Sequence, residues 1–143
     1  NRTTGYALRL VWSADGRLAW THIDKNRDIY VWDGNATTNV SNNAWDDDFP
    51  VWSGDGRLAW ESRPTLAPDI FVWDGQIVTN VSNDPDAADQ GSSWSSDGRL
   101  AWTSDRDGAH VAVWDGQTIS TPISGAALSP SWSGARQMPW ASR

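Results

Sequence analysis

Carboxylates are the chemistry-bearing side chains that cluster in this chain. Asp46, Asp47 and Asp48 stand in one polar stretch, Asp84, Asp86 and Asp89 in the next, and Asp105 and Asp107 in a neighbouring one. Converging carboxylates suit Ca²⁺, a hard cation that takes six to eight oxygen ligands. The stretch Asp105-Arg106-Asp107-Gly108 lacks the Asp-x-Asp-x-Asp-Gly run of a calcium loop and has no glutamate twelve residues from its start, so turn capping and a solvated acidic surface are the simpler reading. No resident cofactor or metal is therefore expected, with Ca²⁺ the ion these acids would suit. Trp45 lies beside the first cluster and has no counterpart elsewhere, which makes it a candidate surface anchor. The other eleven tryptophans fall on three repeated positions and read as packing residues.

Catalytic patterns are sparse. His22 and His110 are the two histidines, far apart and read as surface residues, and no H-E-x-x-H or G-x-S-x-G occurs. Ser13, Ser53, Ser95 and Ser133 share one repeat position and read as turn-forming hydroxyls rather than nucleophiles. The chain has no cysteine, which removes thiolate catalysis, disulfides and cysteine-bound zinc together. No catalytic residue is assigned.

The elements that position these residues are legible from an internal repeat. VWSADGRLAW at 11–20 recurs as VWSGDGRLAW at 51–60 and SWSSDGRLAW at 93–102, and Trp12, Trp52, Trp94 and Trp132 are 40, 42 and 38 residues apart. That period belongs to propeller blades or helical arrays. No window carries apolar residues at helical spacing, and Gly, Pro or Asn/Asp clusters interrupt the chain about every ten residues. Each copy reads as four short strands: one around Val11-Trp12-Ser13, one at Leu18-Ala19-Trp20, one at Ile29 to Trp32, and one at Thr38 to Ser41 that recurs letter for letter at Thr79 to Ser82. Asp-Gly turns close the first and third hairpins. Pro122 stands where the fourth strand of the third copy has lost its valine, which suits an edge strand. Both parities of the third strand are apolar, so both sheet faces must be covered, as in a blade between two neighbours.

Pro50 to Trp60, followed by Asp69 to Gly75, with Asp28 to Gly34 as the second half of the preceding copy, resembles the repeat of TolB-like propellers, also called WD40-like or PD40 repeats. Trp20, Trp60 and Trp102 depart from it, standing where that family more usually has phenylalanine. The resemblance implies an all-β propeller of four-stranded antiparallel blades, and a periplasmic or secreted setting. The copies divide the single domain 1–143 into blades at about 7–42, 48–83 and 91–124 and a half blade at about 128–143, whose turn has become Ala135-Arg136-Gln137. Three and a half blades do not close a ring. The expectation is a part of a longer propeller, or a chain that closes the ring by self-association.

A meander places the Asp-Gly turns at one end of the blades and the long, variable loops with Trp45 and the acids at the other. The net charge of −7 without a basic cluster argues against nucleic acid, and no apolar stretch of 18 residues is present to span a membrane. The functional expectation is a non-catalytic scaffold that binds protein or peptide through the long-loop end, at Trp45, Asp46, Asp47, Asp48, Asp84, Asp86, Asp89, Asp105 and Asp107. The alternatives are an accessory propeller of a larger hydrolase or peptidase, and a lectin-like propeller that binds calcium or glycan.

Overall fold

The computed structural model describes residues 5–124. The half blade expected at 128–143 lies outside them. Twelve strands form three four-stranded antiparallel sheets, each a simple meander. Sheet 1 comprises β1 (Tyr6–Trp12), β2 (Leu18–Ile23), β3 (Arg27–Trp32) and β4 (Thr37–Asn39). Sheet 2 comprises β5 (Asp47–Trp52), β6 (Leu58–Ser62), β7 (Asp69–Trp73) and β8 (Val78–Asn80). Sheet 3 comprises β9 (Asp89–Trp94), β10 (Leu100–Ser104), β11 (His110–Trp114) and β12 (Ile119–Ser124). Among the described residues there is no helix, and the architecture is β-rich and blade-like.

The strands differ from the sequence expectation in length. The first is longer and runs back to Tyr6, Asp47 and Asp89, while β4 and β8 are only three residues long and end before Val40 and Val81. The reason lies in side chains: Ser41 and Ser82 turn their hydroxyls onto the backbone N–H of Ile29 and Ile70, both at 2.9 Å, and replace the ladder there. Pro122 does stand on an outer strand, since among the described residues β12 pairs only with β11, where the register slips.

Each first strand is bulged at the same repeat position. Arg9, Phe49 and Gly91 adopt φ of 53°, 59° and 72°, three residues before Trp12, Trp52 and Trp94. A left-handed residue in a bulge bends the strand and increases its twist. It also re-aims the residues that precede it, which become the candidate site.

The sheets stack in chain order. β5 lies against β1, β2 and β3, and β9 against β5, β6 and β7. One apolar layer joins Ala19, Ile29 and Val31 of sheet 1 to Leu58, Trp60 and Phe71 of sheet 2. The next joins Ala59, Ile70 and Val72 of sheet 2 to Leu100, Trp102 and Ala112 of sheet 3. Sheet 2 is thus covered on both faces, as the double parity of Ile70-Phe71-Val72 required, whereas β3 of sheet 1 alternates between buried and open positions. The tryptophans follow this layering. Trp60 and Trp102 are fully buried, but Trp12 is 63% exposed and Trp32 37%, because among the described residues no sheet precedes sheet 1.

Candidate functional site

The Asp-Gly end of the sheets is occupied by a latch. Ser13 Oγ accepts the backbone N–H of Arg17 at 2.8 Å and donates to Asp15, and Ser53 and Ser95 do the same in their own turns, so these three serines are turn formers. Asp15 then holds Arg17 Nε at 3.0 Å and aims the guanidinium at the next sheet. There Nη2 donates to Gly56 O at 3.1 Å, and the guanidinium carbon lies 4.6 Å from the ring centre of Trp52 and 5.9 Å from that of Trp73. Sheet 2 repeats this toward sheet 3: Arg57 bonds Asp55 at 3.1 Å and Gly98 O at 2.8 Å, over Trp94 at 4.7 Å and Trp114 at 5.9 Å. The indoles answer in the other direction, Trp52 Nε1 donating to Val11 O and Trp94 Nε1 to Val51 O, each at 3.1 Å. The recurrence of D-G-R, read from sequence as a hairpin signal alone, therefore also encodes the contact between sheets.

Toward the long-loop end, carboxylates gather polar side chains within each sheet. Asp28 accepts Asn39 Nδ2 at 2.9 Å and Ser41 Oγ at 3.3 Å, and Asp69 accepts Asn80 Nδ2 and Ser82 Oγ at the same distances. Asn42 and Asn83 leave each strand with φ of 41° and 44°, their N–H groups held by Asn39 Oδ1 and Asn80 Oδ1. Opposite these groups stand Asp47, whose Oδ1 accepts the Trp60 indole at 3.2 Å, and Asp89, whose Oδ1 accepts that of Trp102 at 3.1 Å. Among the described residues, Asp47 Oδ2, Ser62 Oγ and Asp89 Oδ2 are buried without a hydrogen bond of their own. Burial pushes the Asp47 carboxyl up from 3.8 to about 6. The nearby Ser62 and Ser41 hydroxyls and the Trp60 indole offset part of that rise, and the Asp28 charge adds to it. Asp89 is raised for the same chief reason. The Asn and Ser of the repeated T-N-V-S, read as fourth-strand composition, are the side chains that build this network.

The structure divides the acids singled out in the sequence. Asp47, Asp48 and Asp89 are buried. Asp48 is held by Arg9 and Arg27, each at 3.0 Å, and accepts Thr21 Oγ1 at 2.8 Å. Asp46 accepts the N–H of Arg27, Asp105 that of Ala88, and Asp84 pairs with Arg106 at 2.7 Å. Asp86 and Asp107 are exposed. Trp45 is exposed on one side and meets Phe71 edge-on at 6.1 Å, its carbonyl tied to Asn26 Nδ2. Among the described residues no three His, Asp or Glu side chains converge as a metal site would require. His22, expected at the surface, is buried against Tyr30 with ring centres 4.5 Å apart, because β2 extends past Trp20 and carries it into the sheet.

Near the same end, a recess of about 540 Å³ opens between sheets 2 and 3, lined by Phe49, Glu61 and Arg63 on one side and Gln90, Gly91 and Thr103 on the other. Its first wall bears the bulge residue Phe49, 45% exposed, and the second the bulge residue Gly91, which contributes no side chain. Glu61 is 8% exposed and accepts the Gly91 N–H through Oε2 at 2.9 Å. Burial raises its carboxyl against that bond and the more distant charges of Arg63 and Arg9. Sequence reading did not select Phe49, Glu61 or Gly91. The signal was present, since Glu61 stands where Thr21 and Thr103 stand, and Gly91 where Arg9 and Phe49 stand.

No protein-family model and no curated protein matches the chain.

Proposed function

We propose that this chain is a non-catalytic β-propeller scaffold, of the TolB-like kind its repeat resembles, that binds a protein or peptide through its long-loop end in a periplasmic or secreted setting. The observation that carries this reading is the unequal use of the two ends. At the Asp-Gly end, Arg17 and Arg57 are spent on neighbouring sheets. The other end offers the half-open rings of Trp45 and Phe49 and the 540 Å³ recess. Aromatic anchors beside a concavity are the usual core of a binding surface. Peptides selected from a displayed library against the whole chain test it. Their binding should be lost in Trp45→Ala and Phe49→Ala and kept in Asn35→Ala and Gln76→Ala at the opposite end. Binders that depend on Asn35 and Gln76 instead would sink the reading.

The latch favours a second reading, self-association that completes a ring. Its receiving half is present on sheet 1 as Trp12 and Trp32, edge-on with ring centres 6.5 Å apart, and no arginine of another sheet covers them among the described residues. An Asp-Gly-Arg turn from another sheet would complete that half in the manner of Arg17 on Trp52. Light scattering should then give a mass above the 15.7 kDa of one chain, falling to it in Trp12→Ala/Trp32→Ala. A wild-type chain of 15.7 kDa would remove this reading and leave the first intact.

A further inference from the structure

The two intervals between sheets are built from equivalent positions and filled differently. In the first, the guanidinium of Arg9 lies 4.2 Å over the ring centre of Phe49 and its Nε pairs with Asp48 at 3.0 Å, so an arginine from one bulge packs on the aromatic of the next. One sheet later the corresponding residues are Phe49, Gly91 and Gln90. The arginine, its aromatic platform and its carboxylate are all replaced, and the interval is open as the 540 Å³ recess. Two of the three groups return from the other wall. Phe49, over whose ring Arg9 already lies, is still 45% exposed and supplies the recess with the part of the ring left open, and Glu61, in place of Thr21, supplies a carboxylate.

That carboxylate is short of partners. Glu61 is more than nine-tenths buried, and its one hydrogen bond comes from the Gly91 N–H. Among the described residues no cation lies within ion-pair distance of it, whereas Asp48 has two arginines. A buried charge of this kind favours a counter-charge delivered by a ligand, and a planar cation can also stack on an aromatic face. Arg63 stands exposed at the lip, where solvent screens its repulsion.

We propose that the recess between sheets 2 and 3 binds a guanidinium group, the arginine side chain of a peptide, between the Phe49 ring and the Glu61 carboxylate. The peptide context rests on the long-loop reading above; the guanidinium chemistry does not.

The probe is N-acetyl-arginine amide, titrated into the full chain while amide NMR signals are followed, with the citrulline analogue as a neutral control of the same shape. The Gly91 amide, bonded to Glu61, should shift and saturate with arginine and stay still with citrulline, while Gly16 and Gly34 do not move. Glu61→Gln and Phe49→Leu should each weaken binding about tenfold or more, with amide dispersion unchanged to show that the fold persists. The lysine analogue separates stacking from charge and should bind several-fold more weakly. Equal shifts with citrulline, no Gly91 shift with arginine, or undiminished binding in Glu61→Gln would each overturn the proposal. A response to N-acetyl-glutamate instead would assign the recess to Arg63 and also overturn it. Saturable arginine binding alongside selected peptides that ignore Trp45 and Phe49 would keep the guanidinium site and remove the scaffold reading.

Discussion

Arg17 and Trp52, 35 residues apart in sequence, meet with the guanidinium carbon 4.6 Å from the indole ring centre, and Trp52 Nε1 returns a hydrogen bond to Val11 O in the sheet that Arg17 comes from. The same two-way exchange links Arg57 to Trp94 and Trp94 to Val51. A repeat that carries both halves of such a contact can be extended without redesign, because every added sheet presents a new arginine and a new pair of indoles. That property accounts for why the residues of the Asp-Gly-Arg hairpin and the two flanking tryptophans recur together.

The latch needs a planar cation. Arg57 pairs with Asp55, donates to Gly98 O and stacks on Trp94 at once, a geometry that an ammonium cannot reproduce. Arg57→Ala should destabilise the chain by about 1 to 3 kcal/mol and Arg57→Lys should recover less than half of that. Chemical denaturation followed by tryptophan fluorescence gives both numbers, and equal stabilities for Lys and Arg would mean that the stack contributes nothing.

Gly56 is required twice over. Its φ of 90° belongs to glycine, and a Cβ there would come within 2.5 Å of Arg17 Nη2. Gly16 has the same backbone, φ 88°, with open space around it. Gly16→Ala should therefore cost the backbone strain alone, about 1 to 2 kcal/mol, and Gly56→Ala should cost visibly more because the arginine must also move. Comparable midpoint shifts for the two variants would show that the arginine yields freely.

Within the repeated T-N-V-S, the network singles out particular letters. Ser82→Ala removes the acceptor for the buried Ile70 N–H and a donor to Asp69, and should cost about 1 to 3 kcal/mol. Thr79, exposed in β8, should tolerate alanine within about 0.5 kcal/mol. If the two substitutions cost the same, fourth-strand composition explains the repetition and the network does not.

These contrasts also mark what could be read from sequence. Strand order and hairpin turns were legible in Val-Trp-Ser-x-Asp-Gly because periodicity and turn chemistry are local. The partners of Arg17, Asn39, Ser41 and Asp47 were not, because each lies in another strand or another sheet, and a repeated letter says only that the environment recurs. Asp47 illustrates the cost: it sits in an Asp-Asp-Asp run that reads as a solvated loop, yet the bulge at Phe49 draws Asp47 and Asp48 into the start of β5 and buries them. Trp12 fails in the opposite sense. It shares a position with the half-buried Trp52 and is open only because of where its sheet stands in the stack.

Buried and exposed aspartates set opposite pH dependences. Asp15, Asp55 and Asp97 are held below their ordinary value by Ser13, Ser53 and Ser95 first and by the following arginines next. Asp33, Asp74 and Asp115 are held below it by the turn N–H groups of Ala36, Ile77 and Thr118. The stability these groups contribute is complete above 3.8 and is lost as acid protonates the folded state. Asp47 runs the other way. With its folded value raised from 3.8 to about 6, the folded chain holds a proton that the unfolded chain has released, so stability falls as pH rises across that interval and levels off above it. Asp89 and Glu61, also raised, add to the fall. Stability should thus peak near about pH 4, fall from there to about pH 6 and level off toward neutrality. In Asp47→Asn the amide oxygen can still accept the Trp60 indole, while its NH₂ can reach the Ser62 and Ser41 hydroxyls. This variant should flatten the decline and exceed wild type at about pH 7.5 by up to about 2 kcal/mol. Denaturant titrations of both chains at about pH 5 and about pH 7.5 decide the matter. A wild-type stability that rises through this interval, or an Asn variant weaker than wild type at the higher pH, would mean that Asp47 works as a charge and that the folded state holds a counter-charge or water against Oδ2.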